Sequence, residues 1–249
     1  MTATTAPPQV DLPAYLRTVI EDAITNHPRS LQAAVGPSEL GMDCTRCLTH
    51  RLIGTEQRAE AAWLPTIGTA VHSWLDQAMR FHAMSSDDGD RWHIEERVTV
   101  GHINGTPVTG STDLFDAHTG TVIDWKIVGT STLRNVKASG ATSQYRTQAS
   151  LYGLGWQAAG YDVRAVLIYF LPRNSVTLAD AIAWAAPFDP APGLAALTRA
   201  TTILQLVAAA GTDVALAAAG PHTDDGFTCR RYPDWTPATQ TPGGDPFAR

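Results

Sequence analysis

Lysine is almost missing from this chain: Lys126 and Lys137 are the only two in 249 residues. The other basic residues are arginine, and the net charge is −6. That balance excludes a basic coat that would blanket nucleic acid, but it leaves room for a local basic groove beside an acidic site. Cysteine is scarce and odd in number, three residues, with two of them in Cys44-Thr-Arg-Cys47. A disulfide framework is a poor reading of three cysteines, and a reducing, cytoplasmic setting suits them better. No uninterrupted apolar run reaches the ~18 residues of a membrane span. The opening MTATTAPPQVDLP lacks a basic stretch followed by an apolar one, so no signal peptide is expected. What remains is an ordinary globular composition, 44% hydrophobic and 17% charged, and enough length for one sizeable core.

Residues 1–9 read as a disordered lead and 236–249 as a flexible tail, with one domain over 10–235. Within it, helices fill 10–84. Leu12–Ile24 has helical spacing and is stopped by His27-Pro28. A second helix starts at Pro37-Ser38, with Ser38 as N-cap, and runs to Gly54. A third spans about Ile67–Met84. The period then changes to two. Trp92–Gly101, Thr106–Asp116 and Thr121–Val128 read as strands joined by turns at Asn104-Gly105 and Thr119-Gly120. Thr142–Gly160 returns to helix, Val163–Leu171 and Val176–Ala186 read as strands, and Pro192–Ala219 as one long helix. The core then covers 92–186, and the C-terminal helix and tail cover 190–235, packed back on the N-terminal helices. The order implies an α/β (α+β) domain with a central mixed β-sheet flanked by helices.

The chemistry concentrates in Asp113 late on one strand and Asp124-Trp-Lys126 on the next. Residues two apart on a strand share a face, and a short hairpin brings Asp113 beside Asp124. The flanking Val122, Ile123, Ile127 and Val128 make this an interior strand, where charges are expensive unless paired or bound to metal. Carboxylates suit Mg²⁺ or Mn²⁺, and the Lys126 ammonium can orient a water or stabilise developing negative charge. The plain alternative is an exposed hairpin with an Asp–Lys salt bridge. Gln148 and Tyr152, four apart on the next helix, can hold the lysine or grip phosphate; a solvated Gln and a core Tyr would look the same. His72 on the third helix can ligate manganese or be structural.

Taken in order, Gly68-x-x-x-His72, Gly110-x-x-Asp113, Asp124-x-Lys126 and Gln148-x-x-x-Tyr152 resemble the RecB-like branch of the PD-(D/E)XK nucleases, a family that includes AddB-like, phage and CRISPR-associated exonucleases. The resemblance covers roughly residues 36–171. It implies a restriction-endonuclease-like core. It implies His72, Asp113, Asp124 and the carbonyl of Trp125 as ligands of Mg²⁺ or Mn²⁺, Lys126 as the catalytic lysine, and Gln148 and Tyr152 as its supporting pair. It also implies a DNA exonuclease acting on single-stranded or free ends in phage or host recombination and repair. A structure-specific endonuclease on the same core and a non-catalytic DNA-binding accessory subunit are the competing readings. Arg46, Arg51 and Arg146 are candidates for tracking DNA phosphates.

Some members of that family carry a four-cysteine iron–sulfur cluster. Here Cys44 matches the N-terminal ligand, Cys229-Arg-Arg-Tyr232-Pro carries Tyr where a second tail cysteine belongs, and Cys47 is extra. A cluster or Zn²⁺ on Cys44, Cys47 and Cys229 therefore needs a fourth ligand, His50 or His222. Three small buried hydrophobes in a lineage without the cluster are the other reading.

Overall fold

The computed structural model describes residues 11–26, 34–58, 61–86, 90–223 and 227–236. The expected lead, the His27-Pro28 stop and nearly all of the expected flexible tail lie outside them. Five strands form one sheet: β1 (Trp92–Ile103), β2 (Thr106–Asp116), β3 (Thr121–Val128), β4 (Ala165–Pro172) and β5 (Ile182–Pro187), in that spatial order. The β1–β2, β2–β3 and β4–β5 pairs are antiparallel and β3–β4 is parallel, which makes the sheet mixed, in the α/β class. Asn104 and Gly105 both have positive φ, 48° and 80°, as a two-residue hairpin turn matching the strand twist requires.

The parallel β3–β4 pair cannot be closed by a hairpin and needs a crossover. Helices α5 (Thr130–Ser139) and α6 (Ser143–Ala158) supply it. Helix α6 is the central one. It buries Gln148 through Gly153 together with Gly155 and Trp156, and Trp156 stacks on Phe115 of β2 at 4.5 Å between centroids. Helix α5 was not anticipated from the sequence: it buries only Leu133 and Val136, too little apolar periodicity to stand out.

The N-terminal helices are α1 (Leu12–Thr25), α2 (Pro37–Leu40), α3 (Thr45–Leu52) and α4 (Trp63–Ser85). The single helix expected from Pro37 to Gly54 is split, and Gly36, not Ser38, is its first cap. The reason is tertiary. Arg199 donates to the carbonyls of Leu40 and Met42 at 2.8 and 2.6 Å, Ser143 donates to Asp43, and Gly41 sits so close to Gln144 that a Cβ would fall 2.7 Å from its carbonyl oxygen. Those contacts draw residues 41–43 out of helical geometry, and Cys44 becomes the N-cap of α3, its sulfur accepting from the Cys47 N–H.

On the C-terminal side lie α7 (Ala191–Ala210), α8 (Thr212–Ala218) and α9 (Phe227–Arg230). The expected long helix breaks at Gly211, whose φ of +89° suits glycine. The strand expected from Val176 shortens to β5, because Thr177 caps a short 3₁₀ turn at Leu178–Asp180 and Ser175 donates to Asp180. By length and apolar composition α7 could cross a membrane. Thr198, Arg199, Thr201, Thr202 and Gln205 interrupt it, and its Gly193, Ala196, Leu197, Ala200 and Ile203 stripe is buried in contact with α6 and β1. A core helix accounts for that pattern.

Candidate active site

Strands β2 and β3 pair only over Leu114↔Ile123, Phe115↔Val122 and Asp116↔Thr121. At the next position they part. Asp113 is the first residue of β2 beyond the pairing, and its Oδ2 accepts the backbone N–H of Trp125 at 2.7 Å. The side chain thereby satisfies a strand donor that would otherwise be orphaned. Its other oxygen lies 3.1 Å from His72 Nδ1 on α4. Burial pulls the His72 imidazole down, but the Asp113 hydrogen bond and charge outweigh it and the net direction is up.

The β1–β2 register, Ile94↔Leu114 and Glu96↔Thr112, puts Glu95 across from Asp113. Glu95 has φ +53°, a left-handed conformation that a glutamate rarely adopts. Ligand atoms of His72, Glu95 and Asp113 all lie within 4.8 Å of one another. Strained backbone of this kind costs about 1–3 kcal/mol and persists only where the surrounding structure holds it. Glu95 was not singled out in the sequence: Glu95-Glu96 on an alternating strand looks like a solvated edge, and the φ value that sets Glu95 apart has no sequence signature.

Asp124 is 3% exposed on β3. Its Oδ2 meets Lys126 Nζ at 2.6 Å. Burial pushes Asp124 up to about 6; the lysine opposes that, and the Asp113 charge adds to it. Lys126 Nζ also donates to Gln148 Oε1 at 3.0 Å and lies 5.3 Å from the centre of the Tyr145 ring. The ammonium is thus fixed by a carboxylate, an amide and an aromatic face. Tyr145, Gln148 and Tyr152 share one stripe of α6, and the 145/148 spacing was the overlooked signal for Tyr145. Tyr152 is buried; its ring would lie 3.0 Å from a Cβ placed on Gly110.

The three arginines fare differently. Arg46 pairs with Asp234 and donates to the carbonyls of Leu216 and Gly220; Arg51 pairs with Glu39. Both guanidinium groups are engaged within the protein, whereas Arg146 is exposed on α6.

At the start of α3, Cys44, Cys47 and Cys229 come together with His222, their ligand atoms within 4.8 Å of one another. His50 is not among them: its Nδ1 meets Thr55 Oγ1, its Nε2 meets Asp234, and its ring stacks on Tyr232.

No family model matches the chain, and no curated protein matches it in sequence. Among solved structures, SSO0001 is similar at 14% identity and TM-score 0.46, covering 79% of this chain and 88% of that one. An alkaline exonuclease, LHK-Exo, from Laribacter hongkongensis is similar at 15% identity and TM-score 0.47, over 75% and 94%. The same enzyme in complex with dAMP gives 16% identity and TM-score 0.43 over the same shares.

Proposed function

We propose that the chain is a divalent-metal-dependent DNA nuclease acting at strand ends. The observation that carries this reading is the grouping of His72, Glu95 and Asp113 within 4.8 Å of one another, on α4, β1 and β2, beside the buried Asp124 that pairs with Lys126 on β3. The donor set fits Mg²⁺ or Mn²⁺: carboxylate oxygens suit either, and the imidazole favours manganese. Asp124, a carboxyl raised by burial and to a lesser degree by the Asp113 charge, is also a place where added positive charge is favourable. His72, Glu95 and Asp113 would hold the ion, with Asp124 and the Trp125 carbonyl as the further donors that the resemblance implies. Bound there, the ion would polarise the scissile phosphate and lower the pKa of the attacking water.

The protein's own groups do the rest. Lys126, held by Gln148 and backed by Tyr145, points one ammonium at the site and stabilises the charge that builds on the phosphate oxygens. Asp113 holds the rim of the site in register through Trp125. Preference for free ends, and for single strands, rests on the family resemblance alone. A role in recombination or repair has the same basis.

The test is digestion of end-labelled linear and covalently closed circular DNA with Mg²⁺ or Mn²⁺, and with EDTA as control. Metal-dependent loss of label from linear DNA alone is expected. Cleavage of closed circles would replace the exonuclease by an endonuclease, and no cleavage of either with any divalent ion would reject the nuclease.

A further inference from the structure

The cluster around Cys47 lies apart from the candidate active site. Cys47 Sγ is 3.3 Å from Cys229 Sγ and 3.3 Å from His222 Nδ1, and Cys44 Sγ is 3.7 Å from the same nitrogen. All three cysteines are free thiols, each 5% exposed or less. The Cys47–Cys229 separation is far beyond a disulfide bond of ~2.05 Å. Around one tetrahedral Zn²⁺, with Zn–S ≈ 2.3 Å and Zn–N ≈ 2.0–2.1 Å, neighbouring ligand atoms stand roughly 3.5–3.8 Å apart. The separations of 3.3, 3.3 and 3.7 Å are at or slightly below that size, and all four ligand atoms lie within 4.8 Å of one another. A four-iron cube binds each cysteine to a different iron, so its sulfurs must stand much farther apart.

The outer contacts point the same way. His222 Nε2 lies 3.1 Å from Asp234 Oδ1. A carboxylate there accepts a hydrogen bond from Nε2–H, keeps the proton on that nitrogen and leaves the Nδ1 lone pair aimed at the sulfurs, the arrangement that metal-bound histidines adopt. Asp234 is itself held by Arg46 and His50. Tyr232, where a cluster-binding cysteine would stand, is not a ligand: its ring stacks on His50 at 4.9 Å and its hydroxyl accepts from Gln57.

We infer that Cys44, Cys47, His222 and Cys229 form a closed structural zinc site, and that this chain holds one zinc ion where some members of the resembled family carry an iron–sulfur cluster. The ion would pin the tail to the start of α3 across 182 residues of sequence. It would also fix the 41–43 segment against α6 and α7. Four protein ligands leave no open position, so the role is structural.

Full-length protein purified anaerobically with reductant, from cells supplied with both iron and zinc, is to be assayed for metal. One zinc per chain and no visible colour are expected. After removal of zinc by a chelator, titration with Co²⁺ should give the visible bands of a tetrahedral thiolate site, saturating at one equivalent. Asp234→Asn should weaken zinc binding about 10–100-fold while keeping the stoichiometry, and His222→Ala should abolish the tetrahedral Co²⁺ bands. Iron with acid-labile sulfide and broad brown absorption would overturn the inference. So would a Cys47–Cys229 disulfide in the reduced preparation, or wild-type protein that binds neither zinc nor cobalt. Should a variant fail to fold, the wild-type metal analysis and Co²⁺ titration decide on their own. None of these readouts depends on nuclease activity.

Discussion

Asp113 Oδ2 takes the Trp125 N–H at the point where β2 and β3 stop pairing. One carboxylate therefore serves two ends: one oxygen finishes the sheet, the other faces His72. The two tasks separate by mutation. Asp113→Asn keeps an acceptor for Trp125 and should leave stability within about 0.5 kcal/mol of wild type, whereas Asp113→Ala orphans that donor and should cost about 1–3 kcal/mol. Both should lose cleavage. Urea unfolding beside an end-label assay checks this, and activity retained in Asp113→Asn would remove Asp113 from the site.

Asp124 is buried and pairs with the half-buried Lys126, which Gln148 and the Tyr145 ring also hold. Asp124→Asn should abolish cleavage with the fold intact by circular dichroism. Gln148→Ala, which frees Lys126 from one of its partners, should lower kcat about 10–100-fold with little change in KM, as expected when a catalytic group is displaced by about 1 Å. A variant that raised KM alone would make Gln148 a binding residue.

Glu95 invites the opposite experiment. With φ at +53°, glycine fits the backbone better than glutamate or alanine. Glu95→Gly should match or exceed the melting temperature of Glu95→Ala by the equivalent of about 1 kcal/mol. Both should be poor nucleases. Full activity in either variant would show that the strained backbone serves packing alone.

The uneven legibility of the sequence has physical causes. The strands and hairpin turns around Asp113 and Asp124 were readable, because period-two patterning and Asn-Gly turns are local signals. The face shared by Gln148 and Tyr152 was readable from their spacing, but that Gln148 takes Lys126 was only one of its open uses. The split at residues 41–43 was not, because it is imposed by Arg199, more than 150 residues away. Glu95 was hidden for a different reason: a backbone dihedral decides its role. The choice between His50 and His222 as fourth partner of the cysteines was open in sequence. It is made in space by Tyr232 and Thr55, which occupy the His50 ring and Nδ1.

Asp116 makes a structural contribution that pH should expose. It is 4% exposed, accepts both Nε and a terminal nitrogen of Arg91 at 3.0 Å, and takes the His118 N–H and the Thr119 hydroxyl. Burial alone would raise its pKa, but these partners outweigh burial and hold it below the ordinary carboxylate range. A depressed folded-state pKa means the stabilisation is fully present above the unfolded carboxylate pKa and fades as pH falls through the folded one. Asp116→Asn should therefore cost about 1–3 kcal/mol at neutral pH. In urea melts across pH the gap to wild type should close on acidification, and a gap constant with pH would assign the loss to packing.

Arg146 is the remaining arginine of the three to carry a DNA prediction. Arg46 and Arg51 are tied to Asp234 and Glu39, so their removal should damage the fold rather than the affinity alone. Arg146 is exposed on α6, the helix that also presents Gln148 to Lys126. Each phosphate contact releases counterions, so binding of single-stranded DNA should weaken steeply with salt, with a slope of about −0.7 per contact. Arg146→Ala should reduce that slope by about one contact and leave the melting temperature unchanged. Fluorescence anisotropy of a labelled oligonucleotide in EDTA, repeated over a salt series, reads the slope directly. An identical slope in wild type and Arg146→Ala would exclude this arginine from the DNA path, and the phosphate-tracking groups would then have to be sought on another face.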